Sequence, residues 1–204
     1  LEELGFEVTI LPVDHDGHIS LKKLEEAIRP DTILVSTMYV NNEVGAVEPV
    51  EEISRVIKAK NPSALYHVDA IQAYGKYVIR PKKQGIDLLS VSSHKIHGPK
   101  GVGFLYIRSG VKIKPLIYGG GQQAGMRSGT ENVPGIVGFG KAAEIAAANM
   151  EERIKYESEL RDYLMDRVIA EIPYARINGS RENRLPNNAN FSFQFIEGES
   201  MLIM

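Results

Sequence analysis

The chain has 204 residues, 43% of them hydrophobic and 25% charged, enough for one ordinary core or one core and the start of another, and a composition that excludes disorder, collagen and coiled coil. Lysine and arginine number 24 against 26 aspartate and glutamate, a net charge of −2 without blocks of one sign, so composition argues for neither nucleic acid nor a membrane surface. No apolar run is long enough to span a bilayer, Leu1–Gly5 is unlike a secretory leader, and cysteine is absent, so a cytoplasmic protein without disulfides, thiolate metal sites or a cysteine nucleophile of its own is expected.

Leu1–Gly5 reads as the tail of a helix that its glycine stops, leading into an apolar segment, Phe6–Pro12; the chain is expected to begin inside a domain. Ser20 can cap a helix over Leu21–Arg29, in which Leu21, Leu24 and Ile28 share a face before Pro30 ends it. Thr32–Val40 is β-branched and does not alternate, the pattern of a strand buried on both faces of a parallel sheet. Pro49–Lys60 predicts a second amphipathic helix, with Val50, Ile53 and Ile57 in register and Asn61-Pro62 closing it. Strands are predicted at Ala64–Val68, Asp87–Val91 and Val102–Ile107, with a helical turn at Pro81–Gly85.

Strands alternating with helices at this spacing argue for βαβ crossovers, hence an α/β fold with a mostly parallel central sheet and flanking helices. From Leu116 a glycine-rich loop runs to Gly129, and a long helix is predicted from about Pro134 to Ile172, its charged second half spanning the surface between two lobes. Short strands follow at Tyr174–Ile177 and Asn190–Phe195, then an apolar run, Ser200–Met204, that stops unfinished. The expected organisation is a large domain over 1–140, a connecting helix over 141–172 and the start of a small α+β domain over 173–204.

The segment Ser92-Ser93-His94-Lys95-Ile96-His97-Gly98-Pro99-Lys100-Gly101 sits where a buried strand ends, the position at which open α/β sheets bind ligands; its plain alternative is a polar loop of turn formers. His94 and His97 lack a nearby acidic or thiolate ligand, so no metal is expected. In Tyr66-His67-Val68-Asp69-Ala70-Ile71-Gln72, Asp69 also falls at the end of its strand, where a lone aspartate is usually a helix cap. Together, a lysine and an aspartate at the ends of two parallel strands are what pyridoxal phosphate chemistry requires. In that chemistry the lysine forms the Schiff base and the carboxylate keeps the pyridine nitrogen protonated, roles that Lys95 and Asp69 would take here, and Ser92 and His94 could then hold the phosphate.

Asn41-Asn42-Glu43-Val44-Gly45 brings amide side chains to the same rim, or is an ordinary turn, and Gly119–Thr130 suits an anion or is a linker. Gly135–Ala142 has P-loop spacing, but Ala142 replaces the magnesium-binding hydroxyl and the segment reads as helix. His15 and His18 belong to a solvated turn. The two Asn-x-Ser sequons read as chance occurrences, since secretion is not expected.

In this order the motifs Val40–Gly45, His67–Gln72, Ser92–Gly101, Gly119–Gln123 with Met126–Asn132, and Asn190–Phe193 with Glu197–Ser200 resemble the NifS/IscS-type cysteine desulfurases, aminotransferase class V enzymes of pyridoxal phosphate fold type I. The resemblance covers essentially the whole chain. It implies Lys95 as the Schiff-base lysine, Asp69 as partner of the pyridine nitrogen, Gln72 on the cofactor's phenolic oxygen, and Ser92 and His94 on its phosphate. Asn42 would sit near the cofactor and the substrate carboxylate, and Thr130 would complete the phosphate site of a neighbouring subunit, so a homodimer is implied.

The implied activity takes L-cysteine to L-alanine and passes sulfur as a persulfide to an acceptor or iron–sulfur scaffold protein. The family's N-terminal cofactor-binding turn and stacking histidine would lie before Leu1, and its nucleophilic cysteine and carboxylate-clamping arginine after Met204. Weak or absent activity is therefore expected from these residues alone. The same residues are compatible with a selenocysteine lyase, a cysteine sulfinate desulfinase, or a non-catalytic fragment or partner chain.

Overall fold

The computed structural model describes residues 1–203. Four strands form one sheet in chain order: β1 (Leu34–Met38), β2 (Leu65–Asp69), β3 (Leu88–Ser92) and β4 (Gly103–Ile107). The β1–β2 and β2–β3 pairs are parallel and β3–β4 is antiparallel, so the sheet is α/β and mostly parallel, as the alternation of elements predicts. The reversal arises because only ten residues separate β3 from β4, too few for a helical crossover.

Helices α1 (Leu21–Ala27) and α2 (Val50–Lys60) pack with the sheet around one core. The Ser20 hydroxyl accepts from the Lys23 amide, as its capping position requires. The helix ends at Ala27 and not at Arg29, because the Arg29 amide donates to Thr32 Oγ1 at 2.9 Å and the chain turns there. Ile53, Ile57, Tyr66, Val68 and Ile86 are fully enclosed in the core. Buried Asn61 ties the segment before β1 to the end of α2, its amide donating to the carbonyls of Arg29, Pro30 and Thr32 at 3.0–3.1 Å.

Two expectations are corrected. β1 is not buried on both faces: it is an edge strand here, with Leu34 and Ser36 exposed, because among the described residues β2 is its only partner in the sheet. The helix predicted over 134–172 is two helices, α3 (Val133–Ala148) and α4 (Met150–Glu171), parted at Asn149, whose φ of −117° leaves the helical region. The run Ser200–Met204 falls largely within a helix, α5 (Gly198–Ile203), and Met204 lies outside the described residues.

β5 (Ala175–Ile177) and β6 (Phe191–Phe193) form a separate antiparallel ribbon. The P-loop-like segment Gly135–Ala142 lies within α3. Among the described residues no helix is long and apolar enough to cross a membrane.

Candidate functional site

Because side chains alternate along a strand, Ser36, His67, Asp69, Ser90 and Ser92 share one face of the sheet, while Val35, Tyr66, Val68, Leu89 and Val91 occupy the other. The parallel β2 and β3 end on one rim. Asp69 is the last residue of β2 and its partner on β3 is Ser90, so Ser92 stands two residues further out, about 7 Å along the strand.

A 3₁₀ turn over Ser93–Ile96 follows directly. With about three residues per turn, Ser93 and Ile96 eclipse and both point into the core, which leaves His94 and Lys95 facing solvent. His97 closes the turn in the left-handed region at φ 65°, its amide donating to the Ser93 carbonyl. Gly98 packs so closely that an added Cβ would come within 2.0 Å of Ser93 Oγ and 3.2 Å of the Ser93 carbonyl oxygen, so a side chain there would have to displace the Ser93 hydroxyl.

Ser92 Oγ and His94 Nδ1 are 2.7 Å apart, which joins two candidate anion-binding groups into one unit. Asp69 Oδ1 accepts from the Ile71 amide at 2.9 Å, as a strand-ending aspartate commonly does. Gln72 lies half-buried in the turn after Asp69, and its carbonyl faces the Lys76 amine at 3.4 Å. Asn42 is exposed beyond β1, whose last residue, Met38, pairs with Asp69, so it belongs to the same rim. Asn41 shapes that turn: its Oδ1 accepts from the amides of Glu43 and Val44, both at 2.9 Å.

The rim therefore gathers Asn42, Asp69, Gln72, Ser92, His94 and Lys95. Thr130 is exposed in the glycine-rich loop and makes no hydrogen bond with any of them. Among the described residues no group of three or more histidine and acidic side chains is arranged to hold a metal.

His67 belongs to the site's floor and was not singled out from the sequence. Its Nδ1 lies 2.8 Å from Ser36 Oγ and its Nε2 2.8 Å from Ser90 Oγ, a chain of hydrogen bonds across three strands. Burial pushes its pKa down, with the nearby Asp69 charge pulling the other way. The signal was present: a histidine two residues before Asp69 in a strand shares its face.

The aminotransferase class-V family pattern matches residues 1–204. The chain is 51% identical to the cysteine desulfurase IscS of Dictyoglomus turgidum over 203 residues, covering all of this chain and 51% of that protein. It is 52% identical to the cysteine desulfurase IscS of Methanosarcina thermophila, covering half of it. Among solved structures, a NifS-like protein superposes with a TM-score of 0.95 at 46% identity, over 98% of this chain and 54% of that one. SspA in complex with cysteine gives 0.79 at 37% identity, over 95% and 53%. The chain spans about half the length of the curated relatives it matches. With the family pattern matched from first residue to last, and a rim that brings a lysine and an aspartate together at the ends of parallel strands, the chain belongs to the aminotransferase class-V family.

Proposed function

We propose that these residues form the core of a pyridoxal 5′-phosphate-dependent cysteine desulfurase, which takes L-cysteine to L-alanine and passes the sulfur on as a persulfide. The observation that carries this reading is the juxtaposition of Asp69 with the Ser92, His94 and Lys95 turn on one rim. Relatives named cysteine desulfurase at about half identity, and the likeness to SspA in complex with cysteine, support the substrate.

The donor set fits the cofactor. A joined hydroxyl and imidazole suit a phosphate, a carboxylate suits a protonated pyridine nitrogen, and the solvent-facing lysine can reach an aldehyde. Ser92 and His94 would hold the phosphate, Asp69 the ring nitrogen, Gln72 the phenolic oxygen, and Asn42 would border the cofactor and the substrate carboxylate. When bound, the cofactor withdraws electrons from the carbon that loses its proton. Lys95 Nζ would move that proton as general base, and Asp69 would hold the ring charge that favours the transfer. The nucleophile that accepts sulfur is not among these residues, since cysteine is absent.

The reading extends to a cytoplasmic homodimer in which Thr130 of each copy completes the phosphate site of the other, with a sulfur-acceptor or scaffold protein as downstream partner. Residues 1–140 would then be the cofactor domain, 141–172 the connection, and 173–204 the start of a small domain.

The test is an absorbance spectrum of the chain with added pyridoxal phosphate beside Lys95→Ala. A visible band that requires Lys95 is expected. Identical free-cofactor spectra from both proteins would count against a competent site in these residues.

A further inference from the structure

The turn that carries Asn42 is held from behind by the segment leading into β6. The carbonyl of Glu43 accepts two side-chain amides, from Asn188 Nδ2 at 2.9 Å and Asn190 Nδ2 at 3.0 Å. Neither amide is free to flip. Arg184 Nε donates to Asn188 Oδ1 at 3.2 Å, and Asn178 Nδ2 donates to Asn190 Oδ1 at 2.9 Å, so in each case the oxygen is already engaged and the nitrogen must face Glu43.

The brace is itself rigid. Arg184 is 4% exposed and its guanidinium is held by the carbonyls of Asn178 and Ser180 as well as by Asn188. Asn188 also packs so closely on the turn that a Cβ at Gly45 would meet it at 2.9 Å, and Gly45 stands at φ 72°. The Leu185 amide donates to the Gly45 carbonyl at 2.8 Å. Asn42 has no comparable anchor: its side chain bonds only its neighbour, Glu43 Oε1, at 2.7 Å.

We propose that Asn188 and Asn190 are positioning residues that set Asn42 in the cofactor site, so that the β5–β6 unit, remote in sequence, controls the geometry of that rim. This rests on the functional reading above. Loss of the two donors would leave the Glu43 carbonyl without its brace and let the Asn42 turn sample other conformations.

The test is a cycle of four proteins: the wild-type chain, Asn42→Ala, the pair Asn188→Ala with Asn190→Ala, and all three changes together. Pyridoxal phosphate dissociation constants are measured for each, with hydrogen exchange at the Glu43 and Val44 amides. Asn42→Ala and the pair are each expected to weaken binding by about fivefold, the size of one net hydrogen bond, and the triple variant to be no weaker than Asn42→Ala. Exchange at Glu43 and Val44 should rise in the pair.

Losses that multiply in the triple variant would overturn the proposal, because a general loss of structure adds to the Asn42 effect and does not depend on it. So would unchanged binding and exchange in the pair. Should the paired variant not fold, Asn190→Asp keeps the shape, turns a donor into an acceptor facing the Glu43 carbonyl, and carries the same expectations. If the wild-type chain binds no cofactor, the functional reading fails first, and exchange at Glu43 and Val44 alone decides the brace.

Discussion

On one face of the central sheet Tyr66, Val68, Leu89 and Val91 lie buried with Ile53, Ile57 and Phe139, whereas the other face carries Ser36, His67, Asp69, Ser90 and Ser92 from the same strands. The first face removes apolar surface from water and has little to titrate. The second buries less and holds the groups able to exchange protons or bind an anion. A period of two thus separates the residues that stabilise the fold from those of the proposed site, and substitutions on the two faces should have separable effects.

Four predictions can break or sharpen that contrast. Lys95→Ala should abolish the visible cofactor band completely while leaving the melting temperature of the free chain unchanged, since the side chain faces solvent; a large fall in melting temperature would mean the rim is also structural. Ile57→Ala, on the enclosed side, should cost about 3 kcal/mol in denaturant unfolding through the cavity it leaves, with cofactor affinity preserved in the folded fraction.

Asp87→Asn should cost about 2 kcal/mol, somewhat less than a fully enclosed pair, because Lys58 and Arg108 retain some access to water. Asp87 is 1% exposed, and it accepts from Lys58 Nζ at 2.7 Å, the Tyr66 amide at 2.8 Å and Arg108 Nε at 2.5 Å. Burial opposes its ionisation, but these three donors outweigh burial and hold its carboxyl below the usual range. A depressed carboxyl stabilises the fold above the ordinary carboxylate pKa, and that contribution is lost as pH falls through the folded value. Stability measured against pH should therefore lose part of its acid-side slope in this window in Asp87→Asn, the rest belonging to other depressed carboxyls such as Asp14 and Asp31.

Ser36→Ala should have the smallest effect, about 1 kcal/mol or less, because it removes one partner of His67 near solvent. The depressed His67 works in the same direction as Asp87: the unfolded chain takes up its proton first as pH drops, so stability declines from the ordinary histidine range downward. Denaturant unfolding of Ser36→Ala checks that size, while His67→Gln should flatten the slope, and a profile unchanged in His67→Gln would remove His67 from the account.

The strands and the rim were legible because β-branched runs bounded by turn formers mark buried strands, and Asp69 and Lys95 stand at or just beyond the ends of two of them. The break at Asn149 was not, since helix formers continue on both sides and one residue's dihedrals decide it. The bare edge of β1 escaped the same reasoning: its composition suits an enclosed strand, and composition does not say which neighbours are present. The brace on Asn42 was invisible for another reason. It joins residues some 145 positions apart, and asparagines in a polar loop carry no periodic signal of what they bond.

The reversal of β4 has a consequence for the lysine. The chain leaves β3 and returns beside it, with the Ser93 amide bonded to the Val102 carbonyl at 3.0 Å and the Gly98 amide to the Ser93 carbonyl at 3.1 Å. Lys95 thus hangs on a short loop tied at its neck and again within its bend. The freedom of that backbone is surrendered when the chain folds and not when a ligand arrives, so the amine meets its target preorganised, with only its own side-chain rotations left to settle.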